Sequence, residues 1–233
     1  MAMNEKKSKI ETISRSISTE TLFDRNMVEA ILAAFDMLSP YSVGRTKRVS
    51  SWARSIASVL DLDEAALKDV EYAAMLCDLG MLAVPDKIIN KKGRLTLSEF
   101  RIVQQHPNLT LNTLKALPLS DELKQNIRQH HEAFDGSGYP GHLSGDEITF
   151  GAQVINISCA LFAITSLRPY RDPVSLIKAY EILSNEKGKQ FHPDIVDGLK
   201  RTFDEGKITM DAFEPINDPF ATIRRDLEFG YES

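Results

Sequence analysis

The stretch HHEAFDGSGYP, residues 130–140, places two adjacent histidines against an acidic, glycine-rich turn that ends in Gly-Tyr-Pro. Such a run suits a helix end that presents metal ligands and then a shaped loop. Neighbouring residues on a regular helix point about 100° apart, so both histidines reach one ion only from the distorted end of a helix. The chain has three other histidines, His106, His142 and His192, and three of the five stand at predicted helix ends. Histidine with carboxylate is a ligand set for zinc, iron or manganese. Taken alone, the pair is equally a set of ordinary surface or packing residues.

Outward from this stretch the chain is helical in pattern. Upstream, Met27, Ile31, Ala34, Phe35 and Leu38 fall at helical spacing. Ser39-Pro40 ends that helix. Val49, Trp52, Ala53, Ile56 and Leu60 make a second apolar stripe. Asp61 with Glu64 resembles a capping box for a third helix, and Thr96 with Glu99 forms another for a helix ending near His106-Pro107. Ser120 caps a helix from Asp121 to His131. The loop 134–149 is rich in glycine. Beyond it run an apolar helix over about 151–164, a helix from Val174 to Leu183, and one in HPDIVDGLKRTF with Pro193 in its first turn. No alternating strand pattern occurs, so the expected fold class is all-α. The expected organisation is a polar arm over 1–25, one helical domain over 26–205 and an extension over 206–233.

The net charge of −5 argues against a strongly basic nucleic-acid surface. No apolar run reaches membrane-spanning length, and the charged N-terminus lacks the apolar core of a secretory signal. Cys77 and Cys159, the two cysteines of the chain, form no CxxC pair and point to a cytoplasmic protein with reduced thiols. Asp78 stands inside the otherwise apolar run LCDLGMLAV at 76–84. Buried there, it needs a metal, an arginine or several donors; otherwise it caps the next segment or reaches solvent.

At this point the chain resembles the HD-GYP family, a branch of the HD superfamily of metal-dependent phosphohydrolases. HHEAFDGSGYPGHLSGDEI is similar to its HHE-x-x-DG-x-GYP signature. LCDLGMLAVPDKIINKKGRLT is similar to its HD-x-GK segment, with a histidine following at His106, and ITSLRPYR and GKQFHPDIV match the tail. The resemblance implies a single helical bundle with a GYP loop, two or three bound metals and hydrolysis of cyclic di-GMP or a related cyclic dinucleotide. It also implies a loop (Asp135, Gly138, Tyr139, Pro140) tied to substrate access and to contacts with diguanylate cyclases.

The departures are as telling. The HD pair reads Cys77-Asp78, and the lysine after it falls on Met81. The upstream histidine falls on Arg45, a glutamate ligand of some members falls on Tyr41, and the late aspartate falls on Cys159. Ala133 replaces a basic residue after HHE. One metal position (Arg45, Cys77, Cys159, Met81) is thereby vacated, while the other keeps Asp78, His106, His130 and His131. Asp78 would carry the chemistry in an active form. Arg45 is expected to reach into the vacated position and pair with Asp78, replacing part of the lost charge.

The expectation is therefore a degenerate HD-GYP protein: an inactive or impaired cyclic di-GMP phosphodiesterase acting as an interaction module in bacterial second-messenger signalling. It holds one divalent ion (iron, manganese or zinc) or none. A diguanylate cyclase, another signalling protein, cyclic di-GMP or a second copy of the chain is its partner, and neither a nucleic-acid polymer nor a membrane is. The alternative is a single-metal phosphohydrolase of cyclic dinucleotides. A further one is a thiol or soft-metal sensor built on Cys77 and Cys159.

Overall fold

A computed structural model describes residues 25–38, 44–89, 91, 93–166 and 174–208. The described residues are helical, with no strand among them beyond an isolated bridge between Lys187 and Phe191. The helices are α1 (Arg25–Leu38), α2 (Arg45–Ser58), α3 (Glu64–Leu76), α4 (Asp86–Ile89), α5 (Leu97–Val103), α6 (His106–Thr113), α7 (Asp121–Gln129), α8 (Phe150–Thr165), α9 (Leu176–Ser184) and α10 (Pro193–Asp204). Short 3₁₀ segments over Leu79–Ala83 and Gly145–Glu147 join them. The Ser39-Pro40 break, Tyr41, the RPYR segment and both chain ends lie outside the described residues. No helix is long and apolar enough to cross a membrane.

Helix α8 is the axis of the bundle. Its sequence is apolar on every side, which fits a helix enclosed by others rather than one with a solvent face. Every residue from Gly151 to Thr165 is buried, and the helix packs on α2, α3, α7, α9 and α10. Phe162 on α8 meets Trp52 on α2 with ring centroids 6.5 Å apart. Each fully buried large side chain of this kind contributes about 1.5–3 kcal/mol. Helix α7 is amphipathic in the ordinary way, burying Leu123 and Ile127 and leaving Lys124 and Arg128 outward. A smaller apolar cluster of Met81, Val84, Ile88, Ile89, Leu95 and Val103 closes the segment between α3 and α6.

The caps explain where the expected boundaries moved. Thr96 and Glu99 form the expected capping box, and Ser120 caps α7 by accepting the Leu123 N–H at 3.0 Å. The cap of α3 is Asp63, whose carboxylate accepts the Ala66 N–H at 2.8 Å. Asp61 instead takes a left-handed turn (φ 57°), so the expected Asp61–Glu64 box does not form. His106-Pro107 opens a helix instead of closing one. Proline fits the first turn, where its missing N–H has no partner to lose.

Candidate metal centre

Four side chains expected as ligands come together from three helix ends. Asp78 sits in the turn after α3, at the entry to the 3₁₀ segment. His106 is the first residue of α6. His130 follows the last turn of α7, and His131 lies one residue beyond. The helix has ended there, so the neighbouring rings are not held 100° apart; their centroids lie 4.0 Å from each other. The Asp78 turn is fixed to α6 by Gly80 and Thr110. A Cβ on Gly80 would lie 2.1 Å from the His106 carbonyl oxygen, a separation only glycine permits. The Gly80 N–H donates to Thr110 Oγ1 at 2.8 Å, and that hydroxyl donates to the Cys77 carbonyl at 2.9 Å.

All four side chains are buried, and one ligand atom from each lies within 4.8 Å of the others. The hydrogen bonds around them decide what the cluster suits. His106 Nδ1 lies 2.8 Å from the Val103 carbonyl and His130 Nδ1 lies 2.7 Å from the Ile127 carbonyl. A carbonyl only accepts, so both Nδ1 atoms carry the proton and both Nε2 atoms present bare lone pairs. Those two lone pairs face each other at 3.3 Å. Burial holds His106 below the usual histidine range, brings His130 down to about 4 and holds His131 well below its ordinary value, which favours the neutral imidazoles. Asp78 Oδ1 lies 3.6 Å from His106 Nε2. Burial alone would push the Asp78 carboxyl up, but the Arg45 charge beside it, with His106 and His130, holds it below its ordinary value. Two acceptors facing each other beside a carboxylate fit a cation between them. Three neutral imidazoles and one carboxylate suit a divalent zinc, iron or manganese, and the Nδ1 bonds to carbonyls are the outer contacts such ligands ordinarily make.

The other side of Asp78 holds Arg45, which opens α2. Its Nη1 donates to Asp78 Oδ2 and its Nη2 to Cys159 Sγ at 3.6 Å. The Phe162 ring lies 5.7 Å from the Arg45 guanidinium and 6.0 Å from that of Arg48. Cys77 and Cys159 are both buried free thiols, and the Cys77 thiol donates to the Ala74 carbonyl at 3.6 Å. Interaction with Cys159 and burial push the Cys77 thiol up; interaction with Cys77, with Arg45 close by, brings Cys159 down. Neither cysteine belongs to a group of three or more ligating side chains among the described residues. Met81 belongs to the smaller apolar cluster.

The loop after His131 folds back over the histidines. Tyr139 is buried and stacks on the His131 ring, with centroids 4.9 Å apart and planes 16° apart. Its N–H donates to the His131 carbonyl at 3.0 Å. A Cβ on Gly138 would lie 2.2 Å from the Ala133 nitrogen, so the backbone passes too close for any other residue. Asp135 Oδ1 accepts the Ser137 N–H and hydroxyl, which shapes the turn. The residue that fastens the loop is Glu132: its carboxylate accepts the Gly141 N–H at 2.5 Å and the Leu143 N–H at 3.1 Å. Asn156 on α8 donates to the Glu132 carbonyl at 2.9 Å. Sequence reasoning assigned no role to Glu132, Thr110 or Asn156. The third letter of HHE was a signal for Glu132; nothing local marks the other two. Replacing Glu132 by alanine removes a charged acceptor from two backbone donors and is expected to cost about 1–3 kcal/mol. Amide exchange would speed up at Gly141 and Leu143 first, which hydrogen–deuterium exchange would read.

The HD domain family matches residues 27–195, more than half of the chain. This protein belongs to the HD domain family. It carries the stretch HHEAFDGSGYP at 130–140 that resembles the HD-GYP signature. It is 33% identical over 182 residues to a 3′3′-cGAMP-specific phosphodiesterase of Vibrio cholerae, a match covering 76% of this chain and 40% of that protein. It is 32% identical over 175 residues to a cyclic di-GMP phosphodiesterase of Thermotoga maritima, covering 72% and 48% respectively. The chain thus spans less than half the length of these curated relatives. Among solved structures, a cyclic GMP-AMP-specific phosphodiesterase of Vibrio cholerae superposes with a TM-score of 0.58 at 14% identity, over 87% of this chain and 59% of that one. An HD-GYP protein from Bdellovibrio bacteriovorus gives 0.56 at 15% identity, over 76% and 60%. At these identities the structures establish a shared fold.

Proposed function

We propose that this HD domain is a single-metal phosphohydrolase of cyclic dinucleotides with much slower turnover than a two-metal site would give. The observation that carries the reading is the division of Asp78 between two partners. One carboxylate oxygen faces His106 across 3.6 Å, and the other accepts from the Arg45 guanidinium. A carboxylate that could bridge two ions here bridges one ion site and one arginine. The substrate class rests on the names of the relatives, which act on cyclic di-GMP and 3′3′-cGAMP.

A bound divalent ion would supply water activation and polarisation of the phosphate. The chain's own groups do the rest. His106 and His130 keep their Nε2 lone pairs turned inward because their Nδ1 protons are committed to backbone carbonyls. Arg45 holds Asp78 ionised and supplies fixed positive charge close to where a phosphodiester would lie, but a guanidinium neither deprotonates water nor protonates a leaving oxygen at neutral pH. Tyr139 covers one face of His131 and limits solvent there. Charge is thus partly replaced at the second position, while activation of the nucleophile there is not.

A second reading, a binding module in bacterial signalling, is favoured by the loop itself. It is fastened by Glu132 yet presents Asp135, Asp146 and Glu147 outward, as a surface for a partner such as a diguanylate cyclase would. One experiment separates the two. Bound metal per chain is measured by elemental analysis on tag-free protein, with turnover of cyclic di-GMP and 3′3′-cGAMP in added manganese or iron. One metal with slow turnover is the expected result. One metal with dinucleotide binding but no hydrolysis would replace it by the second reading. Two metals with fast turnover would overturn the single-metal assignment.

A further inference from the structure

We infer that the cavity enclosed by α6, α7 and the loop after His131 is a binding site for a guanine nucleoside monophosphate, separate from the metal centre. Its volume is about 340 Å³, near the lower end of the range of about 300–1,000 Å³ for small-molecule sites. That is room for one nucleotide and not for a whole cyclic dinucleotide. None of Asp78, His106, His130 and His131 lines it. An arginine in the last turn of a helix ordinarily serves the helix dipole, and glutamines on an outer face are ordinarily solvated. Three features distinguish this cavity. Its amides are fixed from behind: buried Gln129 accepts the Thr149 N–H at 2.7 Å through Oε1, so its Nε2 is the donor to Gln125 Oε1 at 3.1 Å. Gln125 therefore has its oxygen engaged and its amide protons free. The side chains of Asn108 and Arg128, which also line the cavity, have no hydrogen bond or ion pair among the described residues. The third feature is a carboxylate in the wall, that of Glu132, which is 2% exposed. The Gly141 and Leu143 N–H groups take two of its lone-pair sites; a carboxylate offers about four, so acceptor capacity remains.

These groups match guanine better than the other bases. Guanine carries acceptors at O6 and N7 and donors at N1 and the N2 amine. A carboxylate accepts from the two donors, and the amide protons of Gln125 and Asn108 suit the two acceptors. Adenine would turn a bare N1 lone pair toward the carboxylate and leave it unpaired, which is costly in a buried site. Pro140 and Leu143 supply apolar surface for the ring. Arg128, exposed on α7, is the cation for the phosphate, which a guanidinium holds through paired hydrogen bonds. No bond is made or broken in this step. A ring held between Glu132 and the loop would add contacts on both sides of the bonds that fasten Gly141 and Leu143, and so slow their opening. Tyr139, which covers His131, lies in the same loop. The cavity thus connects a small anionic ligand to the cover of the metal centre.

The inference does not depend on the chain hydrolysing anything or holding an ion, and its test avoids both. Full-length protein is stripped with a chelator and titrated by calorimetry with 5′-GMP, and separately with 5′-AMP, guanosine and inorganic phosphate. One 5′-GMP per chain is the expected result, with 5′-AMP at least about tenfold weaker. Arg128→Gln changes an exposed side chain and should weaken 5′-GMP about 10–100-fold while leaving guanosine unaffected. Asn108→Ala probes the wall from α6 and should weaken both 5′-GMP and guanosine. Hydrogen–deuterium exchange should slow at Gly141 and Leu143 when 5′-GMP is bound. No binding at millimolar 5′-GMP would overturn the proposal. So would equal affinity for 5′-AMP or inorganic phosphate, which describes a nonspecific anion patch. Affinity for 5′-GMP unchanged in both variants, or exchange unchanged at Gly141 and Leu143, would put the nucleotide elsewhere and overturn it too.

Discussion

Asp78→Ala is expected to destabilise the metal-free domain by about 3–5 kcal/mol and to abolish metal binding. The first effect follows from the company Asp78 keeps. Arg45 is 3% exposed and donates to Asp78 and to the weak sulfur acceptor of Cys159. Without the carboxylate the guanidinium stays charged in a desolvated site, and breaking a buried pair from one side costs about that much. A pair at the surface would cost under about 1 kcal/mol, so chemical denaturation of chelator-treated protein separates the two situations. Removing both charges should be milder: the double replacement Arg45→Met with Asp78→Leu restores shape without charge, and such exchanges are often neutral or stabilising. The second effect follows from ligand count. Three imidazoles without the carboxylate leave the ion more exposed and less neutralised, and elemental analysis would show the loss directly. A variant that kept both its stability and its metal would remove Asp78 from the centre.

On the single-metal reading proposed above, joint replacement of Arg45→His, Cys77→His and Cys159→Asp is expected to add one ion per chain. It should also raise cyclic di-GMP turnover by about 10²-fold or more. The three positions already converge on Asp78: Arg45 touches both its carboxylate and Cys159, and Cys77 directly precedes it in the chain. Imidazoles and a carboxylate placed there give the free oxygen of Asp78 an ion instead of a guanidinium. The difficulty is volume at Cys77, which is fully enclosed; an imidazole in that position costs about 1–3 kcal/mol in overpacking. The shorter side chain at position 45 returns part of that space. Metal per chain is the first measurement, since a folded variant that still binds one ion would mean that the three residues do not define a vacated position.

The part of the centre that could be read in the sequence is the part written in local patterns. His130 and His131 stand together, with the GYP turn directly behind them, and Asp78 is a lone carboxylate in an apolar run. Their convergence followed from the resemblance to the HD-GYP family, and the pairing of Arg45 with Asp78 from the position of Arg45 against that family's ligands. What was not legible depended on contacts across the bundle. Thr110 is an ordinary helix residue until Gly80 passes close enough to bond to it. Asp61 and Asp63 are equally good caps on paper; the left-handed turn at Asp61 decides between them. His106-Pro107 reads as a stop or a start, and the neighbouring turn at Asp78, packed against α6, makes it a start. The apolar helix α8 was plain from composition, but nothing local showed that Phe162 would lie under two arginines.

The Arg45–Asp78 contact changes how this centre answers to scarcity. Where two ions share a carboxylate, a chelator or a starved cell removes every positive charge around it, and the carboxylate is left bare. Here one of the two cations is encoded in the chain and cannot be withdrawn. Stripping the remaining ion leaves Asp78 still neutralised from one side, with its position held. The metal-free domain should therefore stay folded and ready to reload, so that trace-metal supply sets its occupancy without threatening its architecture.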